Sequence, residues 1–202
     1  LYWLARGHGR SGDAAQFTEY MTLVVDTAPQ SRRAEDGLYL LAQAAADNGD
    51  AAQARSYLAR LLKEYPRSVW ADAVLWLQGW LAYKAREPGE AIAAWDRLLA
   101  EEEGSPHRIP TLYWRGRVLE AMKKLPEAVE AYRVILRTAP DQNYYWFRAR
   151  EQLARLSRKR LQAAPVAGSA GAPPKGADTI RTKKGRALRA LGLDEEAVDE
   201  YS

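Results

Sequence analysis

Hydrophobic positions along this chain fall at helical spacing, and the spacing itself repeats. Leu1, Tyr2 and Trp3 recur as Leu38-Tyr39-Leu40, Leu75-Trp76-Leu77 and Leu112-Tyr113-Trp114, 37 residues apart each time. Four residues after each leucine comes a small side chain: Ala5, Ala42, Gly79 and Gly116. A second register agrees, since Gly12-Asp13-Ala14-Ala15-Gln16 recurs as Gly49-Asp50-Ala51-Ala52-Gln53 at the same offset, and Glu90-Ala91 as Glu127-Ala128. Each unit therefore reads as two helices. The first carries the leucine-aromatic triplet and then the small residue, where a neighbouring helix can approach. The second carries one apolar stripe at i, i+3, i+4 and i+7: Ala54, Tyr57, Leu58 and Leu61, then Ala91, Ala94, Trp95 and Leu98, then Ala128, Ala131, Tyr132 and Ile135.

Local signals mark the ends. Asp13 and Asp50 suit N-caps, with Gln16 and Gln53 three residues on as in a capping box. Pro126 suits a first helical turn, and Pro66 and Pro140 fall just past second helices, which they cannot extend. A fifth first helix is expected from Asn143 to about Arg160, with Tyr145-Trp146-Phe147 and Ala149 in place but only 33 residues after the fourth. The organisation predicted is repeats over 1–162, an Ala/Pro/Gly-rich linker over 163–178, and the start of a further helical hairpin over 179–202. In that last segment Gly192 to Ala197 reproduces the turn, and Tyr201 falls at the second-helix aromatic position.

This pattern resembles the tetratricopeptide repeat: an aromatic early, Gly or Ala mid-helix, Gly at the turn, Ala and an aromatic in the second helix, Pro at the end. It departs in period (37 rather than the usual 34) and in placing Arg86 and Lys123 where the turn glycine belongs. The resemblance implies an all-α helix-hairpin solenoid, an α-superhelix. One hairpin cannot bury its own apolar face, so the units must stack.

Composition then removes whole classes of chemistry. Zero Cys and two His, His8 and His107, leave no disulfide framework, no thiol nucleophile and no three-histidine metal site. No apolar run approaches the roughly 20 residues of a membrane span. The net charge of +4 hides a partition: residues 1–146 hold 18 basic and 19 acidic side chains, 147–189 hold 12 and 2, and 190–202 hold five acidic and none basic. The basic block, including Arg148, Arg150, Arg155 and Arg158, reads either as a solvated helix face or as a surface for an anionic partner. It carries no nucleic-acid motif.

No catalytic constellation, metal set or cofactor site is readable. Gly7 to Gly12 satisfies G-x-G-x-x-G, but a helix precedes it where a dinucleotide fold needs a strand. His8 and His107 read as surface or turn residues, and Glu101-Glu102-Glu103 as a solvated helix end. The candidate binding residues are a column. Tyr2, Tyr39, Trp76, Tyr113 and Trp146 share one position in successive first helices, and Arg6, Gln43, Trp80, Arg117 and Arg150 follow four residues later on the same face. First helices line the inner surface of tetratricopeptide-like solenoids, so Tyr39, Trp76, Trp80, Tyr113, Arg117, Trp146 and Arg150 form either a ladder for sugars or extended peptides, or rings wedged between helices as core.

Four stretches suggest a family. Residues Ala71 to Lys84 look like the "GW-AY" helix of soluble lytic transglycosylases, and Thr111-Leu112-Tyr113-Trp114-Arg115-Gly116-Arg117 looks like their "LYWRAR" helix. Leu136 to Pro140 followed by Tyr144-Tyr145-Trp146 resembles their step into the next helix, and Lys184 to Ala197 is similar to the segment before their catalytic domain. The resemblance implies the superhelical, non-catalytic region of a periplasmic peptidoglycan-cleaving enzyme. Its partners would be its own catalytic domain beyond Ser202, peptidoglycan and other cell-wall proteins. The family's catalytic Glu-Ser pair does not occur here, so no activity is expected of this chain by itself. The alternative is a freestanding tetratricopeptide-like scaffold of the cell envelope that binds proteins.

Overall fold

The computed structural model of the chain describes residues 1–139 and 143–163. Among them are nine helices and no strand. The helices are α1 (Tyr2–Ser11), α2 (Ala14–Thr27), α3 (Arg32–Asp47), α4 (Ala51–Glu64), α5 (Ala71–Lys84), α6 (Pro88–Glu101), α7 (Arg108–Ala121), α8 (Leu125–Thr138) and α9 (Tyr144–Ala163). They form four hairpins and a fifth first helix, as the repeat predicts. Ala163, the first residue of the expected linker, still belongs to α9. Pro140, the rest of the linker and the hairpin expected over 179–202 lie outside the described residues.

The hairpin is closed by one conformation used four times. Gly12, Gly49, Arg86 and Lys123 stand 37 residues apart, and all have positive φ, of 83°, 83°, 61° and 63°. The next residue's N–H then reaches back five residues: Asp13 to the His8 carbonyl (2.9 Å), Asp50 to Ala45 (2.8 Å), Glu87 to Ala82 (2.9 Å) and Lys124 to Leu119 (2.9 Å). This left-handed cap satisfies a terminal carbonyl of the first helix. Asp13 and Asp50 do cap the second helices, accepting from the Gln16 and Gln53 N–H at 3.1 and 2.9 Å. The return half of the expected capping box is not made, because the Asp N–H is already spent on the cap of the preceding helix.

Inside each hairpin the mid-helix small residue is matched to its partner. A Cβ on Gly79 would lie 2.2 Å from Trp95 Nε1, and one on Gly116 would lie 2.6 Å from Tyr132 Cε1. Trp95 and Tyr132 are fully buried. The 37-residue equivalents of Trp95 are Leu58 and Met21, also fully buried, and there the first helix carries Ala42 and Ala5. A bulky ring takes glycine opposite, and a smaller side chain takes alanine, so the space between the two helices stays filled. First helices of successive units also touch one another, α3 with α5 and α7 with α9.

Candidate binding face

The predicted column lies on the first helices, and each of its first four rings is covered by the unit that follows. Tyr39 stacks on Trp70 (centroids 4.4 Å apart, planes at 14°) and Trp76 on His107 (5.8 Å, 8°). The Arg33 guanidinium sits 5.9 Å from the Tyr2 ring centroid. Arg33, Trp70 and His107 are themselves 37 apart, and each lies 31 residues after the ring it covers. Tyr145 covers Tyr113 (5.5 Å, 50°) at the shortened last joint. The planar side chain at the entrance of each first helix thus closes over the column ring of the unit before.

Burial follows. Tyr39 and Tyr113 are 7% and 2% exposed, whereas Trp76 and Trp146 are half-buried. Burial and the nearby Asp72 carboxylate push the Tyr39 phenol above its ordinary pKa. The residues four positions on are coupled to the rings within their own helices. Gln43 Nε2 donates to the Tyr39 hydroxyl (3.1 Å), Arg117 Nη1 donates to the Tyr113 hydroxyl (3.3 Å), Trp80 stacks beside Trp76 (6.2 Å), and the Arg150 guanidinium lies 5.7 Å from the Trp146 centroid. Tyr39 and Tyr113 accordingly act as packing at the joints, and they offer hydroxyls that orient the outer row. At Tyr39 and Tyr113 the rings are wedged between helices as core.

The first helices also carry a partly accessible aromatic cluster and border two grooves. Trp80, Tyr83 and Trp114 lie 5.0–5.4 Å from one another between α5 and α7; Trp80 and Trp114 are half-buried and Tyr83 is 38% exposed. A groove of about 400 Å³ lies between α1 and α3, lined by Arg6, Phe17, Gln43 and Asp47 among others. A second, of about 460 Å³, lies between α7 and α9 and is lined by Arg117, Glu120, Leu125, Arg148, Gln152 and Arg155. There the Glu120 side chain, 11% exposed, pairs with Arg155 and accepts from the Tyr132 hydroxyl at 3.1 Å. Burial first, and Glu120 next, hold the Tyr132 phenol far above its ordinary pKa.

Tetratricopeptide-repeat family models match residues 36–68 and 76–143. These segments are tetratricopeptide repeats. No curated protein matches the chain. Among solved structures, a tetratricopeptide repeat protein from Parabacteroides merdae superposes with a TM-score of 0.61 at 14% identity, over 97% of this chain and 74% of that one. The MamA protein does so with a TM-score of 0.59 at 18% identity, over 98% and 84%. The TPR-like repeats of a putative kinesin light chain from Podosopora anserina give 0.53 at 16%, over 99% and 89%. At these identities the likeness is one of fold. Nothing in these comparisons indicates a lytic transglycosylase.

In these tetratricopeptide repeats, sequence reasoning missed the covering residues. His107 reads as a turn histidine in isolation, and the signal was a 37-residue column of flat side chains, Arg33-Trp70-His107, whose chemistry changes at each step. It also left Arg148 and Arg155 within a general basic block. Only the packing of α9 against α7 brings them to Arg117. His8 stacks with Tyr20 (5.5 Å) and lies 3.4 Å from Asp13, at a helix end as expected. Gly7 and Gly9 are interior to α1 and Gly12 forms its cap, so the glycine-rich string is a helix and its terminus. No group of three or more His, Asp or Glu side chains fit for a metal occurs among the described residues, and no helix there is long and apolar enough to cross a membrane.

Proposed function

We propose that the chain is a protein-binding scaffold that takes a peptide segment of its partner along the inner side of the stack. The observation that carries this reading is the accessible aromatic cluster of Trp80, Tyr83 and Trp114. The rings pack on one another at the α5–α7 joint yet stay partly exposed, Tyr83 most. Rigid aromatics with a polar handle are the side chains from which interface hot spots are most often built. The fold supports the reading further, because stacked hairpins present one continuous concave surface for an extended ligand. The grooves at the two ends of the described stack would extend the footprint beyond the central rings. The likeness to transglycosylase segments gains no support from the comparisons, and peptidoglycan binding and a periplasmic site rest on that likeness alone.

Selection from a random-peptide display library against the 202-residue chain tests the proposal. Enriched peptides should bind with measurable affinity in solution. They should lose at least tenfold on Trp80→Ala combined with Trp114→Ala, in a variant that keeps its helical circular dichroism. Failure to enrich any peptide, or equal binding by the folded double variant, would remove the inner-face reading.

A further inference from the structure

The α7–α9 groove holds more positive charge than its own carboxylate balances. Arg117, Arg148 and Arg155 line it together with one acid, Glu120. Both Glu120 oxygens are occupied, Oε1 by the Tyr132 hydroxyl and Oε2 by Arg155. Arg117 has no carboxylate partner among the described residues, and its donor to the Tyr113 hydroxyl accounts for one N–H only. Arg148 pairs outside the groove with Glu151 (2.7 Å), whose side chain is 59% exposed. The Nε–H groups of Arg117 and Arg148 are both buried and without a hydrogen-bond partner.

Two guanidiniums with unspent donors therefore stand at one concavity, held in place by packing. Tyr113, 2% exposed, fixes Arg117. Arg148 projects from α9, which is seated on α7 and α8 through Ala149 and Leu153 (0% and 1% exposed). A guanidinium fork matches the two oxygens of a carboxylate. Leu125 and Leu156 flank the groove and suit an aliphatic stem.

We infer that this groove is a subsite for a glutamate or aspartate side chain of an acidic peptide, with Arg117 and Arg148 as its two donors and the Glu120–Arg155 pair as its wall. The inference rests on the scaffold reading above and names the chemistry of part of the partner. It also gives the basic stretch at the start of α9 a specific task.

The test uses the 202-residue chain and three fluorescent peptides of one Gly/Ser frame, bearing four Glu, four Gln or two phosphoserines, read by anisotropy. The Glu peptide should bind at least tenfold more tightly than the Gln peptide and more tightly than the phosphopeptide, and should weaken as salt rises. Arg117→Gln with Arg148→Gln should cost at least tenfold, while Arg137→Gln, on the exposed side of α8, should leave binding unchanged. Equal binding of Glu and Gln peptides, a preference for the phosphopeptide, or full affinity in the double variant would each overturn the subsite. Should the double variant not fold, the wild-type chain decides. The Arg117 and Arg148 Nε–H resonances should shift with the Glu peptide and not with the Gln peptide, and their indifference would end the proposal. A display-selected peptide that needs Trp80 and Trp114 but ignores both arginines would sink this subsite and leave the scaffold standing.

Discussion

The first two hairpins and the next two are laid out on the same 37-residue ruler, yet they solve each local problem differently. In the first pair the turn is Gly12 or Gly49, the second helix is capped by Asp13 or Asp50, and Ala5 or Ala42 stands at the mid-helix position with Met21 or Leu58 in the partner helix. In the second pair the turn is Arg86 or Lys123, the second helix has Pro88 or Pro126 in its first turn and no side-chain cap, and Gly79 or Gly116 lies against Trp95 or Tyr132. Glycine has moved from the turn to the helix interior. The repeat fixes a left-handed turn, a started helix and a filled space, and it leaves open which residue supplies each. In the second pair, the closely packed interior ring accompanies a turn held by a side chain that disfavours it.

The largest way to break this contrast is at the rings. Trp95→Ala should lower stability by about 3–5 kcal/mol, seen as a fall in urea midpoint. Gly79→Ala should cost about 1–3 kcal/mol or more by overpacking against the indole. Combining Gly79→Ala with Trp95→Leu rebuilds the Ala42–Leu58 pairing and should recover much of the loss. Simple additivity of the two changes would show that the pairing is not what links them.

Next come the joints. Trp70→Ala removes the plate over Tyr39 and the indole donor to Asp36 (2.9 Å), and should cost about 2–3 kcal/mol. Arg33→Ala at the first joint should cost under about 1 kcal/mol, since one exposed cation–π contact is lost. Equal losses at the two positions would mean that the stack is not the source of the joint's strength.

Alkaline pH gives a third comparison. The Tyr132 phenol is held above its ordinary value of about 10, so the folded chain keeps a proton that the unfolded chain releases. Its contribution is complete below pH 10 and is lost as pH rises through the folded value. It steepens the decline by at most about 1.4 kcal/mol per pH unit. Tyr132→Phe should flatten that decline in urea midpoints measured between pH 9 and 11 (a window set around the phenol value); an unchanged slope would move the effect elsewhere.

The smallest effects are at the ends of the helices. Arg86→Gly and Lys123→Gly should each raise stability by up to about 1 kcal/mol by relieving positive φ, and Asp50→Ala should lower it by about 1 kcal/mol. Thermal melts resolve both signs, and a loss on Lys123→Gly would show that its side chain offsets the turn.

The helices, their period and their caps were legible because each follows from local spacing: a 3.6-residue stripe, an aspartate before it, a proline after it. Arg86 and Lys123 were visible as departures from glycine, but the conformation they adopt comes from the hairpin and not from their own preference. The column was legible as a column and not as a surface, because burial of Tyr39 and Tyr113 depends on residues 31 and 32 positions further on. The α7–α9 groove was hidden most deeply. Arg148 and Arg155 belong to a helix whose 33-residue offset breaks the period that organised everything before it.

The stacked plates also make the chain its own optical gauge. Two of the four joints hold an indole, Trp70 over Tyr39 and Trp76 under His107, and each indole lies nearly parallel to its neighbour. The first joint joins a guanidinium to a phenol, and the last joins two phenols. Along the stack the joints therefore hold a phenol, an indole with a phenol, an indole, and two phenols, so near-ultraviolet dichroism would register a change in their stacking without any label being attached.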